Sequence, residues 1–99
     1  MTRVDLNADM GESFGPWKMG DDAALLNIVT SANIACGAHA GDPDVMATTM
    51  ALARENDVGI GTHPGFPDLQ GFGRRRMHVP ITSLQNSIRV QVGASLGMA

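Results

Sequence analysis

Side chains that could carry chemistry are concentrated in three glycine-containing segments of the 99-residue chain. The segments are DLNADMGESFG (5–15), NIACGAHAGDP (33–43) and GTHPGFPDLQGFGRRRMHVP (61–80). Carboxylates and histidines are the groups that most often transfer protons in enzymes, and they also bind divalent metals. The three segments are therefore where we expect a catalytic or metal-binding site.

The first segment places polar side chains at alternate positions, Asp5, Asn7 and Asp9, and Glu12 follows them. Because alternate residues of a β-strand point to the same face, these side chains are expected to converge. Carboxylate and amide oxygens in such an arrangement suit metal binding or general acid–base catalysis. An alternative remains open, in which the same side chains bond to backbone N–H groups of a turn.

The second segment contains Cys36, the only cysteine, and His39. Small residues surround His39 and allow a substrate or a neighbouring backbone to approach it closely. Asp42 and Pro43 predict the start of a helix, because Asp is a preferred N-cap and Pro a preferred first residue. A helix N-terminus also attracts anions. We therefore predict a functional role for His39, a packing role for Cys36 and first of all a capping role for Asp42.

The third segment begins at the end of a predicted strand, where His63 should face the same edge as His39. Asp68 and a run of three arginines, residues 74–76, follow in a long loop. Such a run is usually a solvated surface, but long ordered loops in compact domains are often functional. Arginine binds carboxylates and phosphates through paired hydrogen bonds. We expect one of the three arginines to face the site.

Three predicted strands alternate with three predicted helices along the chain. The strands cover residues 3–7, 29–35 and 58–62, and the helices begin after Asp22, at Pro43 and near Pro80. This alternation is typical of an α/β fold with a parallel sheet, in which ligands bind at the carboxyl ends of the strands. Each polar segment follows one strand, so we expect all three segments at one edge of the sheet.

Two of the helices carry apolar side chains at helical spacing, which predicts the faces that they bury. In the helix that begins at Pro43 these side chains are Val45, Met46, Met50, Leu52 and Ala53, and in the last helix they are Leu84, Ile88, Val92 and Leu96. Thr82 and Gln85 have the spacing of a capping box, which predicts the start of the last helix.

The composition argues against several other classes of protein. A net charge of −3 opposes nucleic-acid binding, which needs a clustered positive surface. A single cysteine rules out an internal disulfide framework and is typical of a reducing compartment. Neither a signal-peptide pattern nor a membrane-spanning apolar run is found. We therefore predict a cytoplasmic protein that acts on a small molecule, without nucleic-acid or membrane partners.

The three segments resemble the signature blocks of the LamB/YcsF family, which is now described as the A subunit of 5-oxoprolinase. The matching stretches are DLNADMGESFG (5–15), SANIACGAHAGDP (31–43) and GTHPGFPDLQGFGRR (61–75), and VQVGASLGMA (90–99) resembles a family helix more loosely. Two positions depart from the family pattern, because Ala8 stands where Cys is common and Ala38 where Phe is common. Neither departure removes a titratable group from the predicted site.

The resemblance implies the ATP-dependent opening of 5-oxoproline to L-glutamate, performed together with 5-oxoprolinase subunits B and C, which activate the lactam. It also implies an irregular (β/α) barrel of the glycoside hydrolase and deacetylase type, an architecture of about 250 residues. Residues 1–99 would then form a single partial barrel domain with the first three β/α units. We expect such a truncated chain to associate with itself, because its sheet has an open edge.

The first hypothesis is therefore part of a 5-oxoprolinase-type enzyme, in which the polar residues of the three segments form the site. Catalytic candidates are Asp9, Glu12, His39 and His63, and substrate-binding candidates are Asp5, Asn7, Asp42, Arg74 and Arg75. ATP would be consumed by the whole complex, since no nucleotide-binding motif occurs in the sequence. A second hypothesis is a metal-dependent, deacetylase-like hydrolase that holds a divalent ion through His39 and His63. A third is a binding or assembly module that has lost catalysis.

Overall fold

The computed structural model describes residues 2–99 and contains three β-strands that alternate with three α-helices. The elements are β1 Asn7–Met10, α1 Asp22–Leu25, β2 Ser31–Ala35, α2 Pro43–Glu55, β3 Gly59–His63 and α3 Ile81–Met98. All strand pairings are parallel, and the order across the sheet is β1-β2-β3. The predicted α/β fold with a parallel sheet is therefore confirmed.

One face of the sheet, which we call the packed face, carries the hydrophobic core. Met10, Ala32 and Ile34 point to this face and are at most 1% exposed. Helix α2 covers them with its own apolar side chains, and Leu26 and Val58 complete the cluster. The buried residues of α2 are Met46, Thr49, Met50 and Ala53, whereas the predicted Val45 and Leu52 are half-buried at the margin.

The opposite face, which we call the polar face, carries the side chains that alternate with the core residues. Asn33 on β2 donates hydrogen bonds from Nδ2 to Asn7 Oδ1 at 3.1 Å and to Asp9 Oδ1 at 3.3 Å. Gly61 is the β3 partner of Asn33, and a Cβ at residue 61 would lie 3.3 Å from Asn33 Oδ1. A glycine on β3 therefore leaves room for the amide that links β1 to β2.

Helix α2 begins as the sequence predicts. Asp42 is its N-cap and accepts a hydrogen bond from the Val45 backbone N–H at 2.8 Å, and Pro43 is the first helical residue. The second oxygen of the Asp42 carboxylate accepts a hydrogen bond from the Gly15 backbone N–H at 2.7 Å. The same side chain thus caps a helix and fixes the segment that follows β1.

Strand β1 lies further along the chain than predicted. The expected strand covered residues 3–7, whereas the observed strand is Asn7–Met10. Val4 and Leu6 remain 69% and 52% exposed, and Met10 is buried in the core. Burial of Met10 against the helices determines the register, because a shift of one residue would turn Met10 to the polar face.

Helix α3 packs differently from the prediction. Its N-cap is Pro80 and makes no side-chain capping bond, so the predicted capping box of Thr82 and Gln85 is wrong. The buried residues are Gln91 and Ser95, while the predicted Ile88 and Leu96 are 42% and 74% exposed. The physical reason is that α3 is held by hydrogen bonds to loop backbone rather than by an apolar stripe.

No helix within residues 2–99 combines the length and apolarity that crossing a membrane requires.

Three loops follow the carboxyl ends of the strands. Loop 1 (residues 11–21) follows β1, loop 2 (36–42) follows β2, and loop 3 (64–80) follows β3. Because the strands are parallel, all three loops leave the same edge of the sheet. The prediction that the segments after the three strands lie at one edge of the sheet is confirmed, although the first polar segment begins at the opposite end of β1.

Candidate functional site

Glu12, His39 and His63 form a cluster at the carboxyl edge of the sheet, which we call the His39 cluster. One carboxylate oxygen and one nitrogen from each imidazole all lie within 4.8 Å of one another. Glu12 Oε2 is 3.8 Å from His39 Nε2, and the two imidazole ring centres are 4.7 Å apart. Loop 1, loop 2 and the last residue of β3 each contribute one of the three side chains.

His39 is the most deeply buried member of the cluster, with 4% of the residue exposed. Within residues 2–99, neither ring nitrogen of His39 has a hydrogen-bond partner, and His63 Nδ1 has none either. Buried polar atoms in folded proteins are nearly always hydrogen-bonded, so unpartnered ones indicate a place for a ligand. His39 Nε2, which faces the Glu12 carboxyl group, is therefore suited to bind a polar molecule or an ion.

Burial favours the neutral forms of the two inner groups. Desolvation raises the pKa of Glu12 above its ordinary value of 4.5, and the neighbouring Asp9 carboxylate raises it further. Desolvation lowers the pKa of His39 below 6.5, and nearby His63 lowers it further. Both shifts oppose an ion pair, and 3.8 Å is too long for a hydrogen bond. A carboxyl group of raised pKa and an imidazole of lowered pKa are suited to transfer protons in opposite directions.

Asp9 lies beside His63 at the carboxyl end of β1. The distance from Asp9 Oδ1 to His63 Nδ1 is 3.7 Å, and Asn33 Nδ2 donates to the same Asp9 oxygen. A distance of 3.7 Å is too long for a hydrogen bond, so Asp9 and His63 are neighbours without a direct bond between them. Asn33, Asp9 and His63 therefore form a line of contacts from β2 through β1 to β3.

Loops 1 and 2 are in direct backbone contact at Gly41. Gly41 has a φ of +79°, and a Cβ at this position would lie 2.6 Å from the carbonyl oxygen of Gly11. Both the conformation and the space therefore require glycine. The contact holds Glu12, next to Gly11, close to His39 in loop 2.

Two cavities adjoin the His39 cluster. The first has a volume of about 320 Å³ and is lined by His39, His63, Arg74 and residues 64, 65, 72 and 73. The second has a volume of about 480 Å³ and lies between loops 1 and 3. Its lining includes Glu12, Phe14, Trp17, His39, Leu69 and Phe72. The first cavity thus combines imidazoles with a positive charge, whereas the second is lined mainly by apolar side chains.

Five of the nine residues predicted for the site meet at the His39 cluster. They are Asp9, Glu12, His39, His63 and Arg74. Of the three arginines, Arg74 lines the first cavity, and its guanidinium lies 5.7 Å from the centre of the Phe72 ring. The expectation that one arginine faces the site therefore applies to Arg74.

Asp5 and Asn7 lie away from the cluster, at the amino end of β1. Asp5 accepts hydrogen bonds from the hydroxyls of Thr30 and Ser31, and these bonds, that of Thr30 first, lower the pKa of Asp5. Asn7 bonds to Asn33. Because β1 begins at Asn7, the alternating side chains are distributed along the strand instead of converging at its carboxyl end. Their placement does not support the predicted substrate contacts.

Asp42 and Arg75 are also engaged elsewhere. Both oxygens of Asp42 accept backbone hydrogen bonds, from Val45 and from Gly15, and these bonds lower its pKa. Arg75 is paired with Asp68 inside loop 3 and does not line the first cavity. Both residues therefore hold the loops in place, and their partners within the protein do not support the predicted substrate contacts.

Three residues near the site were not singled out from the sequence as site residues. Asn33 holds Asp9, Asp68 anchors loop 3, and Phe72 packs against His39 with ring centres 5.5 Å apart. Asn33 is marked by being the polar residue in the middle of SANIA, and Phe72 by the glycines on both sides. Asp68 has no such local signal, because its partner Arg75 lies seven positions away.

The parallel sheet, with imidazole and carboxyl groups collected at its carboxyl edge, places the chain in the class of α/β proteins that have their candidate site at that edge. The family is shown by comparison with known sequences. The profile of the LamB/YcsF family matches residues 4–99, and the chain belongs to this family. The resemblance seen in the sequence is therefore confirmed.

Known relatives extend beyond the part matched by this chain. A protein from Ruegeria pomeroyi, named as the A subunit of 5-oxoprolinase, is 81% identical over 99 residues, which are all of this chain and 39% of that protein. A protein of the same name from Methylococcus capsulatus is 59% identical over 97% of this chain and 37% of its own length. The crystal structure of a lactam utilization protein from Thermus thermophilus matches with a TM-score of 0.96 at 43% identity. That match covers 98% of this chain and 39% of the other.

Proposed function

We propose that the chain is part of the 5-oxoprolinase component that opens the lactam ring of 5-oxoproline to give L-glutamate. Water adds its oxygen to the lactam carbonyl carbon, the ring C–N bond breaks, and the nitrogen leaves as an amine after gaining a proton. The observation that carries the proposal is the His39 cluster, in which unpartnered imidazole nitrogens adjoin a carboxyl group of raised pKa. Membership of the LamB/YcsF family and the names of the relatives support the choice of substrate.

The members of the cluster divide the proton transfers between them. His39, which burial keeps neutral, takes a proton from the attacking water as general base. Glu12, whose pKa is raised by burial and which lies 3.8 Å from His39, gives a proton to the ring nitrogen as it leaves. His63, which lies beside Asp9, donates a hydrogen bond from its ring N–H to the carbonyl oxygen as negative charge develops there.

Arg74 holds the substrate carboxylate in the first cavity. Its guanidinium can donate two parallel hydrogen bonds to a carboxylate, and the same cavity is lined by His39 and His63. In 5-oxoproline the ring nitrogen is bonded to two carbons, one of which carries the carboxylate while the other is the lactam carbonyl carbon. The two groups are therefore close together, and both can lie in one cavity. A volume of about 320 Å³ is at the small end of the range for ligand sites, as a small substrate requires.

The whole reaction requires parts that lie outside these residues. The relatives are named as one lettered subunit of 5-oxoprolinase, which supports partner subunits B and C that activate the lactam at the expense of ATP. The remaining β/α units of an irregular (β/α) barrel would cover the polar face of the sheet and complete the cavity. We place the complex in the cytoplasm, in keeping with a single, unpaired cysteine.

The test uses the full-length Ruegeria relative with its partner subunits, and the substitutions His39→Ala and Asp9→Ala at the corresponding positions. Glutamate formed from 5-oxoproline and ATP is measured at saturating substrate. We expect His39→Ala to reduce the rate by roughly 10²- to 10⁴-fold, the usual effect of losing a general base. His78→Ala, at an exposed histidine of loop 3, is the matched control and should retain full activity. Near-normal glutamate formation by both test variants contradicts the assignment.

A specific observation also favours a second candidate, a metal-dependent hydrolase of the deacetylase type. Glu12, His39 and His63 offer one carboxylate and two imidazoles, a set of three protein ligands that catalytic zinc sites use. The unpartnered nitrogens of His39 and His63 fit this role. Tetrahedral bonds of about 2.1 Å place ligand atoms roughly 3.4 Å apart, so these side chains would move inwards from their 4.8 Å limit. A bound divalent ion would polarise the carbonyl and acidify a water molecule.

Metal binding can be measured without any activity assay. Titration of the metal-free protein with Co²⁺ should produce the visible absorption of a tetrahedral ion with imidazole and carboxylate ligands. His63→Ala and Glu12→Gln should weaken this binding, whereas His78→Ala should not. Activity of the loaded complex that survives thorough chelation opposes this second candidate and leaves the first in place.

A further inference from the structure

Asp68 and Arg75 form an ion pair inside loop 3 to which the proposed reaction assigns no role. Asp68 is 5% exposed, and its Oδ2 accepts a hydrogen bond from Arg75 Nε at 3.0 Å, while Oδ1 accepts from Arg75 Nη2. Oδ1 also accepts from the backbone N–H of Gly71 at 2.9 Å. A charged, hydrogen-bonded pair of this kind has a fixed geometry, because the guanidinium fork and the carboxylate match in two bonds.

The pair closes a tight turn that ends in an uncommon backbone conformation. The Gly73 N–H donates to the Asp68 carbonyl at 2.9 Å, and the Asp68 N–H donates to the Ala38 carbonyl at 3.0 Å. Phe72 and Gly73 follow each other with φ values of +57° and +70°. A phenylalanine seldom adopts a positive φ, so surrounding contacts must hold it there. The bonds of Asp68 supply these contacts and also join the turn to the residue before His39.

The turn contacts His39 directly, through the Phe72 ring and through the backbone of nearby glycines. The Phe72 ring contacts the imidazole edge-on, at 72° between the ring planes. A Cβ at residue 73 would lie 2.7 Å from His39 Cβ, and a Cβ at residue 65 would lie 2.5 Å from His39 Nδ1. Two glycines thus bring the loop backbone directly onto the imidazole. A displacement of the turn is therefore passed on to the ring of His39.

We propose that the Asp68–Arg75 pair is a positioning device that fixes the orientation of the His39 ring through the Phe72–Gly73 turn. The role of the pair in catalysis rests on the proposed function, whereas its effect on the ring does not. Phe72 and His39 line both cavities, so the pair also sets the shape of the wall that the two cavities share. Arg75 acts through another residue and does not touch the substrate, in contrast to Arg74.

The experiment compares Arg75→Ala, Arg75→Lys and Asp68→Asn in the full-length relative with its partner subunits. Arg76→Ala, at the exposed neighbouring arginine, is the matched control. We expect Arg75→Ala to lower kcat by roughly ten- to a hundredfold, because a small misplacement of a catalytic group has effects of this size. KM should change by less than about twofold, since Arg74 still binds the substrate carboxylate.

Chemical rescue distinguishes positioning from general stability. The Arg75 side chain is 61% exposed, so its removal leaves an open path to the buried Asp68 carboxylate. Millimolar guanidinium should therefore restore most of the kcat of Arg75→Ala but none of the kcat of Asp68→Asn. Arg75→Lys should remain impaired, because an ammonium group cannot form the two parallel bonds.

A second readout does not depend on activity. The ¹⁵N chemical shifts of the His39 ring, recorded at one pH, should change in Arg75→Ala, return with guanidinium, and stay unchanged in Arg76→Ala. Unchanged ring shifts and unchanged kcat in Arg75→Ala overturn the proposal, as does a loss of activity that guanidinium does not relieve. If the unsubstituted complex opens no lactam, the proposed function fails and the ring shifts alone decide the positioning. If Arg75→Ala does not fold, Arg75→Gln carries the same test.

Discussion

The packed face and the polar face of the sheet consist of alternate residues of the same strands. Ile34 on β2 is completely buried against α2, whereas its neighbour Asn33 points to the other side and holds Asp9. Residues next to each other in sequence thus belong to different environments, one free of water and one polar. Stability and chemistry are therefore separable in this protein by substituting adjacent residues.

The polar face itself differs between its two ends. At the amino end, Asp5 accepts hydrogen bonds from two hydroxyl groups. At the carboxyl end, the described residues give His39 and His63 Nδ1 no hydrogen-bond partner. Groups that are already paired inside the protein are less available to a ligand, so the chemistry is expected at the carboxyl end.

The largest effect on stability is expected at the packed face. Ile34→Ala should lower the free energy of unfolding by roughly 2–5 kcal/mol, because it removes a buried side chain and leaves a cavity in the core. Chemical denaturation of the chain monitored by circular dichroism measures this change. A loss below about 1 kcal/mol would show that the core relaxes around the substitution and that the packed face is less rigid than described.

The adjacent substitution Asn33→Ala should separate the two faces. We expect roughly a tenfold loss of glutamate formation in the full-length complex, since outer residues that orient a functional group typically contribute this much. The free energy of unfolding should change by no more than about 1 kcal/mol, because the lost hydrogen bonds are partly exposed. Asn86→Ala on α3 is the control. An unfolding effect as large as that of Ile34→Ala removes the distinction between the faces.

Asp42 connects the two environments, because it caps α2 on the packed side and holds loop 1 at the site. Asp42→Ala should lower the free energy of unfolding by about 1 kcal/mol, the usual contribution of an N-cap. It should also reduce glutamate formation, because the Asp42 carboxylate holds the loop that carries Glu12. Asp44→Ala, one position into the first turn, is the control and should cost less than about 0.5 kcal/mol. Thermal and chemical unfolding of both variants provide the comparison.

The smallest expected effect is a loss of folding stability at acid pH. Among the described residues, the core cluster of the packed face consists of apolar side chains, whereas the Arg75 guanidinium lowers the pKa of Asp68 from 3.8 to about 2. Because the folded pKa lies below the unfolded one, the carboxylate stabilises the fold at neutral pH, and this contribution is lost as the pH falls from about 4 to about 2. The unfolding midpoint should fall over that interval and fall less in Asp68→Asn. Equal slopes for both proteins would contradict the assignment.

Features set by local chemistry were predictable from the sequence. Asp42 and Pro43 predict the start of α2 because capping depends on adjacent residues only, and the structure agrees. The meeting of Glu12, His39 and His63 was predictable from the alternation of strands and helices along the chain. This order indicates parallel strands, and parallel strands bring their carboxyl ends to one edge of the sheet. Both inferences needed only residue types, spacing and the order of elements.

Features set by distant contacts were not predictable. The true position of β1 depends on burial of Met10 under helices that come later in the chain. The inner face of α3 depends on Gln91, which bonds both the N–H and the carbonyl of Gly65 at 2.9 Å. Arg74 and Arg75 are neighbours of the same type, and the buried position of Asp68 decides which of them is engaged. Sequence spacing carries no information on such pairings.

The contact of Gly41 with the Gly11 carbonyl has a consequence for protein engineering. Since no Cβ fits between the two backbones, loops 1 and 2 form one mechanical unit, and a loop of different shape on either strand would displace the other. A chimera with a related scaffold should therefore exchange both loops together, with Gly41 and Gly11 from the same parent. In a library that varies one loop alone, we expect the folded clones to keep the backbone conformation at the Gly11–Gly41 contact unchanged.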